Sequence, residues 1–200
     1  MTIPILAIPQ VWHVGTYPEP PPAGPRQLSQ EGLGLSVSIH PQAWAQIAGL
    51  GDRFVRLTRR DGQPGQFLDA HRARAQVEAW ALESGLALSG VVWRVSGFDY
   101  LTETAARREH PHGRRVLVSV PLPAPAFARQ LAERYAPVTA DQPHMVFDGE
   151  MFNRFAAGQP ALDGVWWANR LAPAHYSAPV GLILPERLGR WQVVEIGVLP

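Results

Sequence analysis

Proline and glycine divide this chain into short segments, and this division limits the folds that it can adopt. The 200 residues include 20 prolines and 18 glycines. The densest cluster lies at residues 18–25, where five prolines surround Gly24. Proline fixes φ and lacks an N–H, so this stretch cannot form a helix and is predicted to be a long loop. Elsewhere, apolar runs that end at proline or glycine after a few residues predict strands.

The pattern predicts more strands than helices. Helical spacing or capping signals occur at residues 41–48, about 68–84, 125–136 and 151–156. Strands are predicted at residues 11–14, 35–38, 53–60, 86–95, 116–120, 145–147, 165–169, 180–184 and 191–198. Residues 98–115 are predicted to be a charged loop, and the core is expected around residues 86–95. Because strands and helices do not alternate regularly, we predict an α+β fold with a split, largely antiparallel sheet and a few peripheral helices.

Composition predicts one soluble domain covering residues 1–200. The hydrophobic fraction of 46% is enough for a sizeable core. A charged fraction of 18% and a net charge of +1 do not predict a nucleic-acid-binding surface spread over the whole protein. The chain has no cysteine, which fits a reducing compartment. Its apolar start is short and contains Pro4 and Pro9, so we expect neither a signal peptide nor a membrane partner, and a cytoplasmic location.

The basic residues exclude several chemistries. All 18 of them are arginine, so a P-loop or a Schiff-base mechanism has no lysine to use. No Gly-x-Ser-x-Gly sequence marks a serine nucleophile. These absences remove the commonest nucleotide hydrolases and serine hydrolases from consideration.

Two short polar strands form the strongest functional pattern. The first ends in Trp12-His13-Val14-Gly15-Thr16, which places a histidine at a strand end before a turn. The second follows Gly32 and Gly34, and its alternation places Ser36 and Ser38 on one face. Two such strands are predicted to line one cleft.

These two segments resemble the NAD-binding core of ADP-ribosyltransferases of the diphtheria toxin and poly(ADP-ribose) polymerase type. That family has a strand ending in His-Gly-Thr or His-Gly-Ser and a later Gly-x-Gly-Ile-Tyr-Phe-Ser strand followed by a helix. The resemblance covers about the first quarter of the chain and implies NAD as the substrate. It implies that His13 binds the nicotinamide ribose and that Gly15 and Ser38 hold the carboxamide, with Thr16 and Ser36 beside them. Ser36 stands where the family has a tyrosine that stacks on nicotinamide.

The same resemblance implies a carboxylate that stabilises the cationic ribose in the transition state. The equivalent position, before an apolar strand near the C-terminus, holds Ser177 and Ala178. Glu195 or Glu150 is therefore expected to supply the charge. Alternation within residues 193–196 predicts that Val193 and Glu195 share one face of a strand, either toward a cleft or at a solvated edge.

Several other groups leave alternatives open. Arg56 belongs to a concentration of arginines at residues 53–74 that is expected either to contact a pyrophosphate or simply to solvate the surface. Glu109-His110-Pro111-His112 is a poor metal signal, and a solvated loop is preferred, so no metal ligand is assigned. Asp148 and Glu150 could bind a divalent ion, share acid and base work, or cap a helix. The resemblance implies an enzyme that cleaves or transfers at the nicotinamide glycosidic bond, either an ADP-ribosyltransferase or an NAD glycohydrolase. The acceptor, whether protein, nucleic acid or water, and the oligomeric state stay open.

The alternative to an enzyme is a non-catalytic protein-binding module, such as a toxin-neutralising or regulatory partner. It would use Trp166 and Trp167 in an exposed apolar surface. Because adjacent strand residues point to opposite faces, at most one of them is expected to be available.

Overall fold

The computed structural model describes residues 2–15, 17, 34–48, 51–134, 143–167 and 180–200. The chain forms two compact units, Met1–Val77 with Asp148–Pro200 and Glu78–Phe147. The fold is mixed α+β with mostly antiparallel sheets and a few helices, as predicted. No helix in the described ranges has both the length and the apolar composition needed to cross a membrane.

The described residues form eleven strands, five α-helices and one 3₁₀ helix. The strands are β1 (Ile5–Ile8), β2 (Val11–Val14), β3 (Leu35–Ser38), β4 (Arg53–Arg59), β5 (Gly65–Asp69), β6 (Ala87–Val95), β7 (Phe98–Tyr100), β8 (Val116–Pro123), β9 (Gly164–Trp166), β10 (Val180–Ile183) and β11 (Trp191–Val198). The helices are α1 (Pro41–Ala48), α2 (Ala70–Glu83), α3 (Glu103–Glu109), α4 (Pro125–Arg134), α5 (Pro143–Ala157) and the 3₁₀ helix Pro185–Arg190.

The first unit is built on an eight-stranded sheet in the order β1-β5-β9-β10-β3-β2-β4-β11. Every neighbouring pair is antiparallel except β5 and β9, which are parallel. Phe67 of β5 contacts both Trp166 of β9, with ring centroids 5.4 Å apart, and Trp191 of β11, at 5.9 Å. Since β5 and β11 lie near opposite ends of the strand order, these contacts show that the sheet curls on itself.

One face of the curled sheet carries the main core, which we call the inner face. Its buried members are Val11, Leu35, Val37, Val55, Leu57, Phe67, Trp166, Ile183 and Trp191. On the opposite face, the outer face, alternate residues such as Leu68, Val165 and Leu182 are also fully buried. Helix α1 packs against β2, and Phe152 of α5 meets Trp167, just after β9, edge to face. The core therefore has two layers, one on each side of the sheet.

The second unit holds a three-stranded antiparallel sheet in the order β7-β6-β8. Phe127 and Leu131 of α4 are buried, and Phe127 packs edge to face against Phe147. The expectation that residues 86–95 form the centre of the core is wrong. Leu88 and Val91 are 54% and 58% exposed, because β6 lies in the smaller sheet, whereas the inner-face cluster lies in the larger one.

Residues 98–115 are not simply a charged loop, and this prediction is wrong. They contain β7 and α3, which are separated by two residues. Thr102 caps α3, since its Oγ1 accepts a hydrogen bond from the N–H of Ala105 at 3.2 Å. Glu103 and Arg107 pair at i and i+4 on the same helix. Local capping thus forms a helix in a segment with little apolar periodicity.

The strand predicted at residues 145–147 is also wrong, and the helix predicted at residues 151–156 begins earlier. Helix α5 runs from Pro143 to Ala157 through Gly149. From Phe147 to Ala156 only Arg154 is exposed. Burial on nearly all sides offsets the cost of about 1 kcal/mol that glycine adds to a helix interior.

Candidate functional site

A cross-strand row on the outer face brings together four chemically different side chains. Trp12 of β2 pairs with Ser38 of β3 on one side and with Arg56 of β4 on the other, and Arg56 pairs with Glu195 of β11. Directly opposed residues in antiparallel strands point to the same face. The row therefore extends over three strand spacings, or about 14 Å. We refer to these four residues as the cross-strand row.

The polar end of the row is an ion pair that solvent can reach. The Nε of Arg56 lies 2.8 Å from a carboxylate oxygen of Glu195, and the two side chains are 34% and 47% exposed. The Nη1 of Arg56 also donates to Oε1 of Gln10 at 3.1 Å. These contacts hold the guanidinium over β4, next to the half-buried indole of Trp12.

The serine end of the row is buried. Ser38 is 0% exposed, and its Oγ accepts a hydrogen bond from the N–H of His40 at 3.0 Å. This bond shapes the turn from β3 into α1. Ser36, two residues earlier on the same face, is half-buried, so it is the serine of β3 that a ligand on this face can touch.

His13 lies at the junction of the two motif strands, but its ring is on the inner face. It pairs with Val55, and alternation along β2 places it opposite to Trp12. Its Nδ1 lies 2.8 Å from the carbonyl oxygen of Ser36. A carbonyl only accepts, so Nδ1 carries the hydrogen. This hydrogen bond ties β2 to β3, and the ring also meets Tyr17 edge to face at 6.1 Å.

The turn after β2 is only partly described. Gly15 has φ +110°, a conformation that favours glycine. Its N–H donates to the carbonyl of Arg53 at 2.8 Å, so in this structure that group completes the pairing of β2 with β4. Thr16 lies outside the described residues.

Glu195 faces outward because of a β-bulge. The pairing of β11 with β4 shifts register between Val193 and Glu195, which pair with the adjacent residues Leu57 and Arg56. The extra residue reverses the alternation, so Val193 and Glu195 lie on opposite faces. The prediction that they share a face is therefore wrong, and the bulge is what brings Glu195 to Arg56.

Glu150 lies apart from the cross-strand row, in α5. It is 4% exposed, and Asn153, one turn later, is 6% exposed. Asp148, by contrast, forms a bidentate pair with Arg74, at 3.0 and 2.8 Å. Asp148 thus anchors α5 to α2, and Glu150 contributes a buried carboxyl group to the same helix.

Most of the arginines that were expected either to contact a pyrophosphate or to solvate the surface form ion pairs or hydrogen bonds within the protein. Arg59 contacts Asp61 and Asp163, Arg72 lies 3.7 Å from Asp69, and Arg74 binds Asp148. Arg60 donates to the carbonyl of Gly189. Of this group, Arg56 is the one that belongs to the cross-strand row.

The other residues considered for function, His110, Trp166 and Trp167, pack against aromatic rings or are buried. His110 stacks on Phe98 with centroids 5.7 Å apart and meets Tyr100 edge to face. Within the described residues, no group of three or more His, Asp or Glu side chains is placed to hold a metal ion. Trp166 and Trp167 are each 2% exposed, so the prediction that they offer an exposed binding surface is wrong.

A scan against models of known protein families, a search of curated proteins and a search of solved structures each gave no match.

Trp12 is the site residue that the sequence analysis did not assign. It precedes His13 directly, and period-two alternation predicts that the two side chains lie on opposite faces. This alternation needs only neighbouring residues, and the structure places the two side chains on opposite faces as the alternation predicts. Adjacent residues do not predict which of the two faces also carries Ser38, Arg56 and Glu195. That depends on the register of β3, β4 and β11.

Proposed function

We propose that this protein is ADP-ribosyltransferase-like and binds NAD over the cross-strand row. The observation that carries the proposal is the row itself, in which an aromatic ring, a guanidinium and a carboxylate are neighbours on one solvent-reachable face. The order of the strands also supports it. β2 and β3, which hold the two segments that resemble the family's motifs, and β10, the apolar strand after Ser177 and Ala178, are consecutive in the sheet.

Each part of the ligand has a matching side chain. The Trp12 indole offers a flat surface for the nicotinamide ring, in place of the stacking tyrosine that Ser36 replaces. The Ser36 hydroxyl is a donor and an acceptor for the carboxamide. Arg56 suits a phosphate, since guanidinium recognises oxyanions through parallel N–H donors. The reactive ribose then lies between Trp12 and Arg56, and the Glu195 side chain approaches it from β11, on the far side of Arg56.

His13 and Ser38 have supporting roles in this proposal. His13 holds β3 against β2 through the Ser36 carbonyl, and Ser38 fixes the turn into α1 through His40. Both keep Ser36 and Trp12 in register. A role for His13 in contacting the ribose directly, which the resemblance implies, would require the ligand to reach the strand end from the inner face.

Calorimetry with NAD tests the proposal. Wild-type protein should show saturable binding, and NAD should raise its melting temperature, because a ligand of the folded state stabilises it by mass action. Arg56→Gln should weaken binding roughly tenfold, the equivalent of one charged hydrogen bond to phosphate.

Arg60→Gln is the matched control, since Arg60 lies near the end of the same strand but bonds to Gly189. It should bind NAD as wild type does. No binding at millimolar NAD, or equal losses in both variants, would contradict the proposed site. If the protein is folded but does not bind NAD, that result would favour the non-catalytic binding module instead.

A further inference from the structure

Strand β8 leaves one side of its backbone unpaired among the described residues. It is the outer strand of the three-stranded sheet, and its pairing partner is β6. Its sequence is Val-Leu-Val-Ser-Val-Pro-Leu-Pro. An edge strand of this kind is a template for pairing with another chain unless charge, proline or a bulge blocks it.

The hydrogen-bond pattern shows which residues face the open side. The N–H of Ala124 donates to the carbonyl of Leu86 at 3.0 Å, which continues the ladder beyond β8. In an antiparallel pair, successive residues direct both backbone groups to alternate sides. Even-numbered residues of β8 therefore bond to β6, and Leu117, Ser119, Pro121 and Pro123 face outward.

The two prolines close half of this edge and leave the other half open. Pro121 and Pro123 lack an N–H. Because these two residues face away from β6, no hydrogen bond to β6 is lost, and a new partner strand finds no donor there. Leu117 and Ser119 keep outward N–H and C=O groups. Residues 116–120 carry no charge, and Leu117 is 58% exposed.

The other edges that bear exposed apolar side chains have the usual protection. On β11, Ile196 is 77% exposed, but a bulge and Glu195 interrupt the strand. β7 has three residues, one of which is Asp99. On β1, Ile5 is 43% exposed, but that strand has four residues and lies between Pro4 and Pro9. Residues 116–120 have neither a charge nor a bulge and belong to an eight-residue strand, so they form the least protected edge among these strands.

We propose that residues 116–120 pair with the same residues of a second copy of this chain, antiparallel about a two-fold axis at Val118. That axis places Leu117 opposite Ser119 of the second copy. Both face outward, so the two symmetric pairs form four N–H···O=C bonds. Pairing ends where Pro121 meets Arg115, because proline cannot donate.

A second copy fits this edge better than an unrelated strand for two reasons. The donors and acceptors of residues 117 and 119 complement themselves under the two-fold axis, as an isologous interface requires. The segment also brings no like charges together, since it has none. The pairing joins two three-stranded sheets into one of six strands.

Cysteine cross-linking tests the position of the axis. The wild-type chain has no cysteine, so Val118→Cys introduces a single thiol. Two such residues would form a non-hydrogen-bonded pair with Cα atoms about 4.5 Å apart, which a disulfide can span. Mild oxidation should convert most of the 22.0 kDa chain to a covalent dimer. Val91→Cys, which places a thiol at a more exposed position on the central strand, should stay monomeric under denaturing electrophoresis.

Light scattering after size exclusion tests the pairing itself. Wild type should show about twice the monomer mass, and Ser119→Pro should be monomeric, because it removes an outward N–H that β6 does not use. Ser119→Ala keeps that N–H and should remain dimeric. Circular dichroism should show the same fold for both variants.

Three outcomes would overturn the proposal. They are a monomeric wild type up to submillimolar concentration, a dimeric and folded Ser119→Pro, and a Val91→Lys variant that becomes monomeric. The last result would mean that the exposed face of the sheet makes the contact and the strand edge does not.

Discussion

Trp12 and His13 illustrate how one peptide bond separates two roles. The indole lies on the outer face beside Arg56, and the imidazole lies on the inner face and binds the Ser36 carbonyl. Neighbouring strand residues cannot share a face. A ligand over the cross-strand row therefore touches Trp12 and is affected by His13 only through the position of β3.

Glu195→Gln tests whether the Glu195 carboxylate takes part in the reaction. If Glu195 stabilises positive charge on the ribose, the variant should release nicotinamide from NAD roughly a hundredfold to a thousandfold more slowly. Its affinity for NAD should change little, because the charge develops in the transition state. Since Glu195 is exposed, its ion pair with Arg56 contributes less than about 1 kcal/mol to stability, so unfolding does not obscure the result.

Glu150→Gln is the comparison, with folding checked because Glu150 is buried. A wild type that releases no nicotinamide, or a Glu195→Gln variant as fast as wild type, would remove Glu195 from the mechanism. A slow but folded Glu150→Gln would then move the assignment to α5.

Tyr100 should titrate above its ordinary pKa of 10.0. Burial disfavours the phenolate, and the nearby Glu109 carboxylate raises the pKa of Tyr100 further. The resulting stability is fully present below pH 10.0 and is lost as pH rises through the folded-state pKa. The near-ultraviolet absorbance of the phenolate, recorded as a function of pH for wild type and for Tyr100→Phe, measures this titration.

Glu109→Gln should lower the pKa of Tyr100, because it removes the negative charge beside the ring. Glu103→Gln, on the same helix, removes a carboxylate that pairs with Arg107 and should leave the titration almost unchanged. An unshifted Tyr100 in Glu109→Gln would show that Glu109 does not act on it.

At the scale of elements, packing and backbone irregularity decide what local patterns leave open. Helix α5 continues through Gly149 because nearly every one of its described side chains is buried. The bulge in β11 turns Glu195 from the face of Val193 to the face of Arg56. In both cases a residue that is locally unfavourable or out of phase is accommodated by contacts that the rest of the fold supplies.

For the eight-stranded sheet as a whole, Asp163 is the central connection. It is 0% exposed, and its carboxylate accepts from Arg59 at 3.3 Å, Arg190 at 3.2 Å and the N–H of Gln66 at 2.9 Å. Its backbone N–H and C=O bond to Gln66 and Leu184. One residue therefore joins the start of β9 to β5, to the end of β4 and to the 3₁₀ helix before β11.

Asp163→Asn should destabilise the protein by about 3 to 5 kcal/mol, because it removes the buried charge that both guanidinium groups bind. Arg190 loses its counter-charge, and Arg59 keeps only that of the exposed Asp61. Chemical denaturation measures this loss. Asp61→Asn is the control, since Asp61 also pairs with Arg59 but is exposed, and it should cost less than about 1 kcal/mol. Equal, small losses in both variants would show that the Asp163 network does not hold the curled sheet together.

The sequence by itself determined the short elements whose ends are set by local chemistry. Residues 11–14 and 35–38 are strands as predicted, the strand predicted at residues 180–184 covers residues 180–183, and α4 begins at Pro125 as predicted, because proline, glycine and alternation act over a few residues. Tertiary structure decided the rest of the site. The register that places Trp12, Arg56 and Glu195 in one row, the burial of Trp166 and Trp167, and the continuity of α5 depend on residues far apart in the chain. Such contacts form only when the sheet has curled, and a local pattern does not contain them.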